Sequence, residues 1–147
     1  MASRGGTAAS CPITKPPQPP FVPPTPYPGP APGRAFWYGT PALWTALEGS
    51  GTWDRLPFQG GGYTQKVFWW RDGYDWRTET SPKLFVSGLR VDGPAKALVA
   101  SSATNAFASD IGSAMLVGVE MPAAGCWEIT GHYKEQRLSF VVWVAPD

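Results

Sequence analysis

Nucleophilic or metal chemistry in this chain would have to be built on one histidine, His132, and two cysteines, Cys11 and Cys126. A single imidazole excludes His-rich metal sites, and any Ser-His-Asp or Cys-His arrangement would have to run through it. His132 lies in a strand-like run with Glu128, Thr130 and Lys134 on the same alternate face, so it reads as an exposed polar strand residue. The cysteines stand far apart with no CxxC or metal-ligand spacing, which leaves a disulfide or two free thiols. The disulfide would pin the N-terminal arm to the start of the penultimate strand and imply an oxidising compartment. Neither sulfur is then expected to act as a nucleophile.

Acidic residues cluster once, as Asp72, Asp75 and Glu79 in RDGYDWRTE. Neighbouring carboxylates can do general acid/base work or hold calcium. Their spacing matches no EF-hand, and Arg71 and Arg77 stand among them, so a salt-bridged turn is the expectation. The run Gly60-Gly61-Gly62 lacks the following Lys-Ser/Thr and helix of a phosphate loop and reads as a flexible loop or bulge. No pattern in the chain calls for a cofactor.

The aromatics invite a functional reading more than any polar group does. There are eight tryptophans, and pairs such as Trp37-Tyr38 and Trp69-Trp70 must point to opposite faces of any strand that carries them. Some rings therefore lie outside a sandwich core. Flat indoles stack on sugar rings, so Trp44, Trp70, Trp76 and Trp143 are candidates for a glycan platform, with Asp72, Asp75 or Arg77 supplying hydrogen bonds. The competing reading places the same rings under a proline-rich arm or at a subunit interface, where indoles and prolines also stack.

These side chains must be positioned by strands. From Pro122 to Val144 the sequence reads as a hairpin: Trp127, Ile129, Gly131 and Tyr133 share one face, and Leu138, Phe140, Val142 and Val144 share a face on the return. Glu135 and Gln136 are the expected turn. Val141 and Trp143 make the last strand apolar on its other face too, which calls for cover by a strand, the arm or a partner. Tyr63 to Arg71 is the strongest interior strand, with Val67 and Trp69 opposing Phe68 and Trp70. Phe36 to Tyr38, Leu43 to Leu47, Leu84 to Val91, Lys96 to Ser101 and Ser113 to Met121 read as further strands, and Ser102 to Ile111 as a loop. Pro41 to Leu47 has the alternative of a single helical turn. About seven or eight strands of this length predict an all-β, immunoglobulin-like two-sheet sandwich over residues 34–147.

Residues 1–33 form a proline-rich extended arm. Eleven of the seventeen prolines lie between Pro12 and Pro32, a density that excludes helix and central strand. The arm reads either as a stiff polyproline-II spacer or as a segment docked in a groove, with Phe21 and Tyr27 as anchors.

Four blocks carry a resemblance: FWYGTPALWTAL (Phe36 to Leu47), QKVFWWR (Gln65 to Arg71), GCWEITGHY (Gly125 to Tyr133) and LSFVVWV (Leu138 to Val144). Together they resemble a family of uncharacterised bacterial secreted proteins and lipoproteins, whose members often place a low-complexity spacer before a domain of this kind. The resemblance implies export and a β-sandwich, and it implies no activity. The residues before Cys11, SRGGTAAS, contain no apolar stretch, so the expectation is a chain without its own export signal and without the family's lipid-acceptor cysteine.

Composition agrees with one domain: 147 residues, 43% hydrophobic and 14% aromatic, are enough to bury a core. A net charge of +1 argues against nucleic acid as a partner, and no run approaches the roughly 18 apolar residues of a membrane span. The sequence thus points to a non-enzymatic, exported, structural or adhesive module at the cell surface. Its expected partners are a cell-surface protein, a second copy held through the arm, or a polysaccharide met by the surface tryptophans.

Overall fold

The computed structural model describes residues 7–26 and 29–146; Tyr27, one of the two expected arm anchors, lies outside the described residues. The fold is a sandwich of two β-sheets, with one 3-10 turn at Ala8–Ser10. The strands are β1 (Ala35–Thr40), β2 (Leu43–Glu48), β3 (Thr52–Trp53), β4 (Phe58–Gln59), β5 (Gly62–Trp70) and β6 (Leu84–Arg90). They continue with β7 (Val99–Ala100), β8 (Thr104–Ala108), β9 (Gly112–Met121), β10 (Gly125–Tyr133) and β11 (Gln136–Val144). One sheet runs β1-β2-β5-β9-β7, with β4 also on β5 and β8 also on β9; the other runs β3-β11-β10-β6. No helix among the described residues is long and apolar enough to cross a membrane.

Alternation explains why these segments pair as they do. In β10 the expected inward set, Trp127, Ile129, Gly131 and Tyr133, is buried, and Phe140, Val142 and Val144 of the neighbouring β11 lie beside it on the same inner face. Strand β5 sends Val67 and Trp69 into that core, where Trp69 packs 5.9 Å from the Phe140 ring. Gly131 lies directly beneath the Trp69 indole: a Cβ there would sit 2.6 Å from Cζ3. The glycine is thus the space the largest core side chain occupies.

The structure departs from the expected elements at the hairpin turn, at Thr104–Ala108 and at Lys96 to Ser101, where only Val99–Ala100 is strand. Tyr133 pairs with Gln136, so the hairpin turn is Lys134-Glu135, one residue earlier than expected, and Lys134 takes φ 55°. Two-residue hairpin loops need positive φ to match strand twist, and here a lysine accepts it. Thr104–Ala108, expected as loop, pairs along β9 from Leu116 to Gly112. Its small and polar residues carry little apolar alternation, and backbone hydrogen bonding to a long neighbour makes it a strand. Of the two readings of Pro41 to Leu47 the strand is the one that forms, as β2, because Leu43 and Leu47 are drawn into the core and Thr45, also buried, donates its hydroxyl to the Phe68 carbonyl at 2.7 Å.

Cys11 and Cys126 form a disulfide with Cα atoms 5.6 Å apart. Just beyond it, Thr14 meets β11: its N–H donates to the Val141 carbonyl at 3.0 Å, and the Val141 N–H donates to Thr14 Oγ1 at 2.8 Å. Cys11 and Thr14 thus hold the start of the described arm against the domain.

Replacing Gly131 with alanine is expected to lower stability by about 1–3 kcal/mol, the usual cost of overpacking. The denaturant midpoint should fall while the slope of the transition stays fixed; an unchanged midpoint would mean that Trp69 moves aside freely.

Candidate functional site

The acidic turn after β5 assembles around Asp75. Its carbonyl accepts the N–H groups of Thr78 and Glu79, and its Oδ1 accepts the Arg77 backbone N–H at 3.0 Å and Arg77 Nε at 3.1 Å. The Arg77 backbone and side-chain donors hold the Asp75 carboxyl below its ordinary value. Asp75 and Arg77 are thus paired with each other, as a salt-bridged turn requires. Asp72 is exposed, and its backbone N–H donates to Pro41 across the end of the sheet.

Behind this turn lies a tighter network that closes one end of the sandwich. Arg71 Nη2 donates to Glu79 Oε1 at 2.7 Å and Arg71 Nε to the Tyr133 hydroxyl at 2.9 Å, while that hydroxyl donates to Glu79 Oε2 at 2.6 Å. Tyr74 completes it by donating to the Glu79 carbonyl at 2.7 Å, under the Arg71 guanidinium. Burial alone would raise the Glu79 carboxyl, but the hydrogen bonds from Tyr133 and Arg71 outweigh it and hold it low. Burial, helped by the Glu79 charge, pushes the Tyr74 phenol up to about 12. Arg71 Nη1 donates to the Asp72 carbonyl at 2.8 Å, so the network clamps the turn to β10.

The four candidate tryptophans occupy three separate surfaces. Trp44 and Trp70 are 0% and 1% exposed, on the outer face of the seven-stranded sheet with Ala114. Phe21 of the arm lies edge-on to Trp44 at 6.0 Å, and Trp37 stands perpendicular to Trp70 at 5.1 Å. The Trp70 indole N–H donates to the Ile111 carbonyl. Trp76 packs against the main core and stacks on Phe107 at 5.6 Å, next to the Asp75–Arg77 pair. Trp143 lies half-buried in the other sheet, opposite Cys126. Of the proposed platform, only Trp76 keeps Asp75 and Arg77 as near neighbours, and Phe107, in the segment expected as loop, is the ring that joins it.

A further surface escaped the sequence reading. On the outer face of the four-stranded sheet, strand register sets Phe85, His132 and Arg137 in one row; Ser87, Thr130 and Ser139 in the next; and Leu89, Glu128 and Val141 in the third. Phe85 and Leu89 are 63% and 62% exposed, and Val91 continues their line. His132 stacks on Phe85 at 4.6 Å, and its Nε2 meets the Ser87 hydroxyl at 3.2 Å. Burial and then the Arg137 charge keep the imidazole below its ordinary value, so it is largely neutral at pH 7. The signal was present in Leu84 to Arg90, where both alternate phases contain large apolar residues.

Among the described residues, no group of three or more His, Cys, Asp or Glu side chains is arranged to hold a metal ion. Comparison with known protein families, with curated proteins and with solved structures returns no match for this chain.

Glu79→Gln is expected to cost about 1.5–3 kcal/mol near pH 7, the worth of hydrogen bonds to a charged group. Because the folded carboxyl titrates below its unfolded value, this contribution is complete above the ordinary glutamate value of about 4.3 and is lost as pH falls through the folded one. Wild type and variant should therefore converge in stability under acid, and a constant gap down to about pH 3 would show that the charge is not the source.

Proposed function

We propose that this chain is an exported, immunoglobulin-like β-sandwich module that acts by non-catalytic adhesion at the bacterial cell surface, in the manner of the secreted protein and lipoprotein family its sequence blocks resemble. The observation that carries the reading is the outer face of the four-stranded sheet. There Phe85, Leu89 and Val91 form an exposed apolar line beside Glu128 and Arg137. Large apolar side chains left exposed along the edge strand of a sheet, with charged groups on the neighbouring strands, are suited to contact with another protein. The disulfide supports an oxidising compartment.

One observation favours a second reading, a polysaccharide-binding module. The Trp76–Phe107 stack leaves Phe107 58% exposed beside Asp75 and Arg77, which pairs a flat apolar ring with hydrogen-bonding groups. Sugar rings are recognised by that combination.

Beads coated with the full chain and mixed with bacterial envelope preparations separate the two. Under the adhesion reading, binding falls at least about tenfold in Phe85→Ser, Leu89→Ser, on the scale of losing interface anchors, and is kept in Trp76→Ala. The reverse pattern, with polysaccharide quenching tryptophan fluorescence only in chains that retain Trp76, would replace adhesion with glycan binding.

A further inference from the structure

The outer face of a sheet in a small sandwich is ordinarily polar, yet here Trp44, Trp70 and Ala114 are fully buried on it, with Trp37, Phe68 and Ile111 around them. Part of what covers them comes from before the first strand. The arm leaves the disulfide on the four-stranded sheet, crosses the edge at Val141 through Thr14, and lays Phe21 on Trp44. Farther along, the Trp37 indole N–H donates to the Gly29 carbonyl at 2.9 Å. Aromatic walls with an indole donor aimed at a main-chain carbonyl are how grooves recognise proline-rich segments, which offer exposed carbonyls and lose little entropy on docking.

Neither contact depends on the arm belonging to the same molecule. A Phe21 ring and a Gly29 carbonyl presented by another chain would satisfy Trp44 and Trp37 equally well. What favours the chain's own arm is its effective concentration, of order millimolar for a short tether. The disulfide then decides the matter. It anchors one end of the arm to β10 while β1 anchors the other, so the segment between them is a closed loop that cannot be handed to a neighbour.

We propose that the Trp37–Trp44–Trp70 groove is a receptor for proline-rich segments, that its occupant in trans is the arm of a second copy of this chain, and that the Cys11–Cys126 link keeps the arm at home. Two chains lacking the link exchange arms reciprocally and close into a two-fold dimer. This goes beyond the adhesion reading and uses the opposite face of the sandwich, so the failure of either leaves the other intact.

The full chain carrying Cys11→Ser and Cys126→Ser is to be followed by sedimentation from micromolar to millimolar concentration. Its mass is expected to rise towards twice that of the monomer, while the disulfide-bonded chain stays monomeric and addition of Phe21→Ala returns the Cys-free chain to monomer. A folded Cys-free chain that stays monomeric, or that dimerises equally with Phe21→Ala, would overturn the proposal. A second measurement does not depend on the Cys-free chain folding. A labelled peptide of residues 12–32 is titrated onto the disulfide-bonded Phe21→Ala chain, whose groove has lost its own anchor. Saturable binding that disappears in Phe21→Ala, Trp37→Ala is the expected result, and absence of binding would equally overturn the receptor.

Discussion

Consecutive residues of a β-strand face opposite ways, and β5 carries Trp69 and Trp70 side by side. No packing of this strand against a single partner can bury both rings. Burying a large aromatic side chain stabilises by roughly 1.5–3 kcal/mol, and leaving it in water exposes a surface that invites association. A two-sided strand therefore requires a three-layer solution: the second sheet over Trp69, and something else over Trp70. The chain meets the first demand with Phe140 and the hollow at Gly131. It meets the second with Trp37 and Trp44 from its own sheet, and with Phe21, which lies on Trp44.

That third layer explains why a segment so rich in proline is useful here. A proline-rich segment has little to lose by lying on an apolar surface, and its carbonyls can accept from side chains, as the Gly29 carbonyl does from the Trp37 indole. Its weakness is that few contacts hold it. The disulfide, the paired hydrogen bonds of Thr14 with Val141, and Ile13 seated against Gly51, where even a Cβ would clash, supply the missing attachment at its start. The covalent link and the apolar contacts thus work at opposite ends of the same strip.

The polar network of Arg71, Glu79 and Tyr133 answers a different problem, the open end of the sandwich. A core bounded by long side chains must stop somewhere, and the last inward residue of β10 is a tyrosine whose hydroxyl would be stranded if buried alone. Bonding it to a carboxylate and a guanidinium satisfies all three groups and fastens the turn after β5 to the opposite sheet. Of the acidic residues that look most like chemistry in the sequence, Asp75 is therefore occupied by Arg77 and Glu79 by Arg71 and Tyr133, while exposed aromatic and apolar groups include Phe85 with Leu89, and Phe107 over Trp76.

Local rules made much of this legible. The period-2 faces of β5, β10 and β11 and the salt-bridged character of the turn after β5 follow from residue order alone, because alternation and turn chemistry act over a few bonds. The disulfide was legible only as one of two states of the cysteines, since whether two distant sulfurs meet depends on the path of everything between them. The strand at Thr104–Ala108 was hidden because its pairing is supplied by β9 rather than by its own side chains. The fate of each tryptophan was hidden for the same reason. Sequence alone determined that Trp69 and Trp70 must point apart, for that is a property of the strand. Only the tertiary structure decided that Trp70 and Trp44 are buried while Phe107 and Phe85 are not, because burial is set by what comes to lie on a face from far away along the chain.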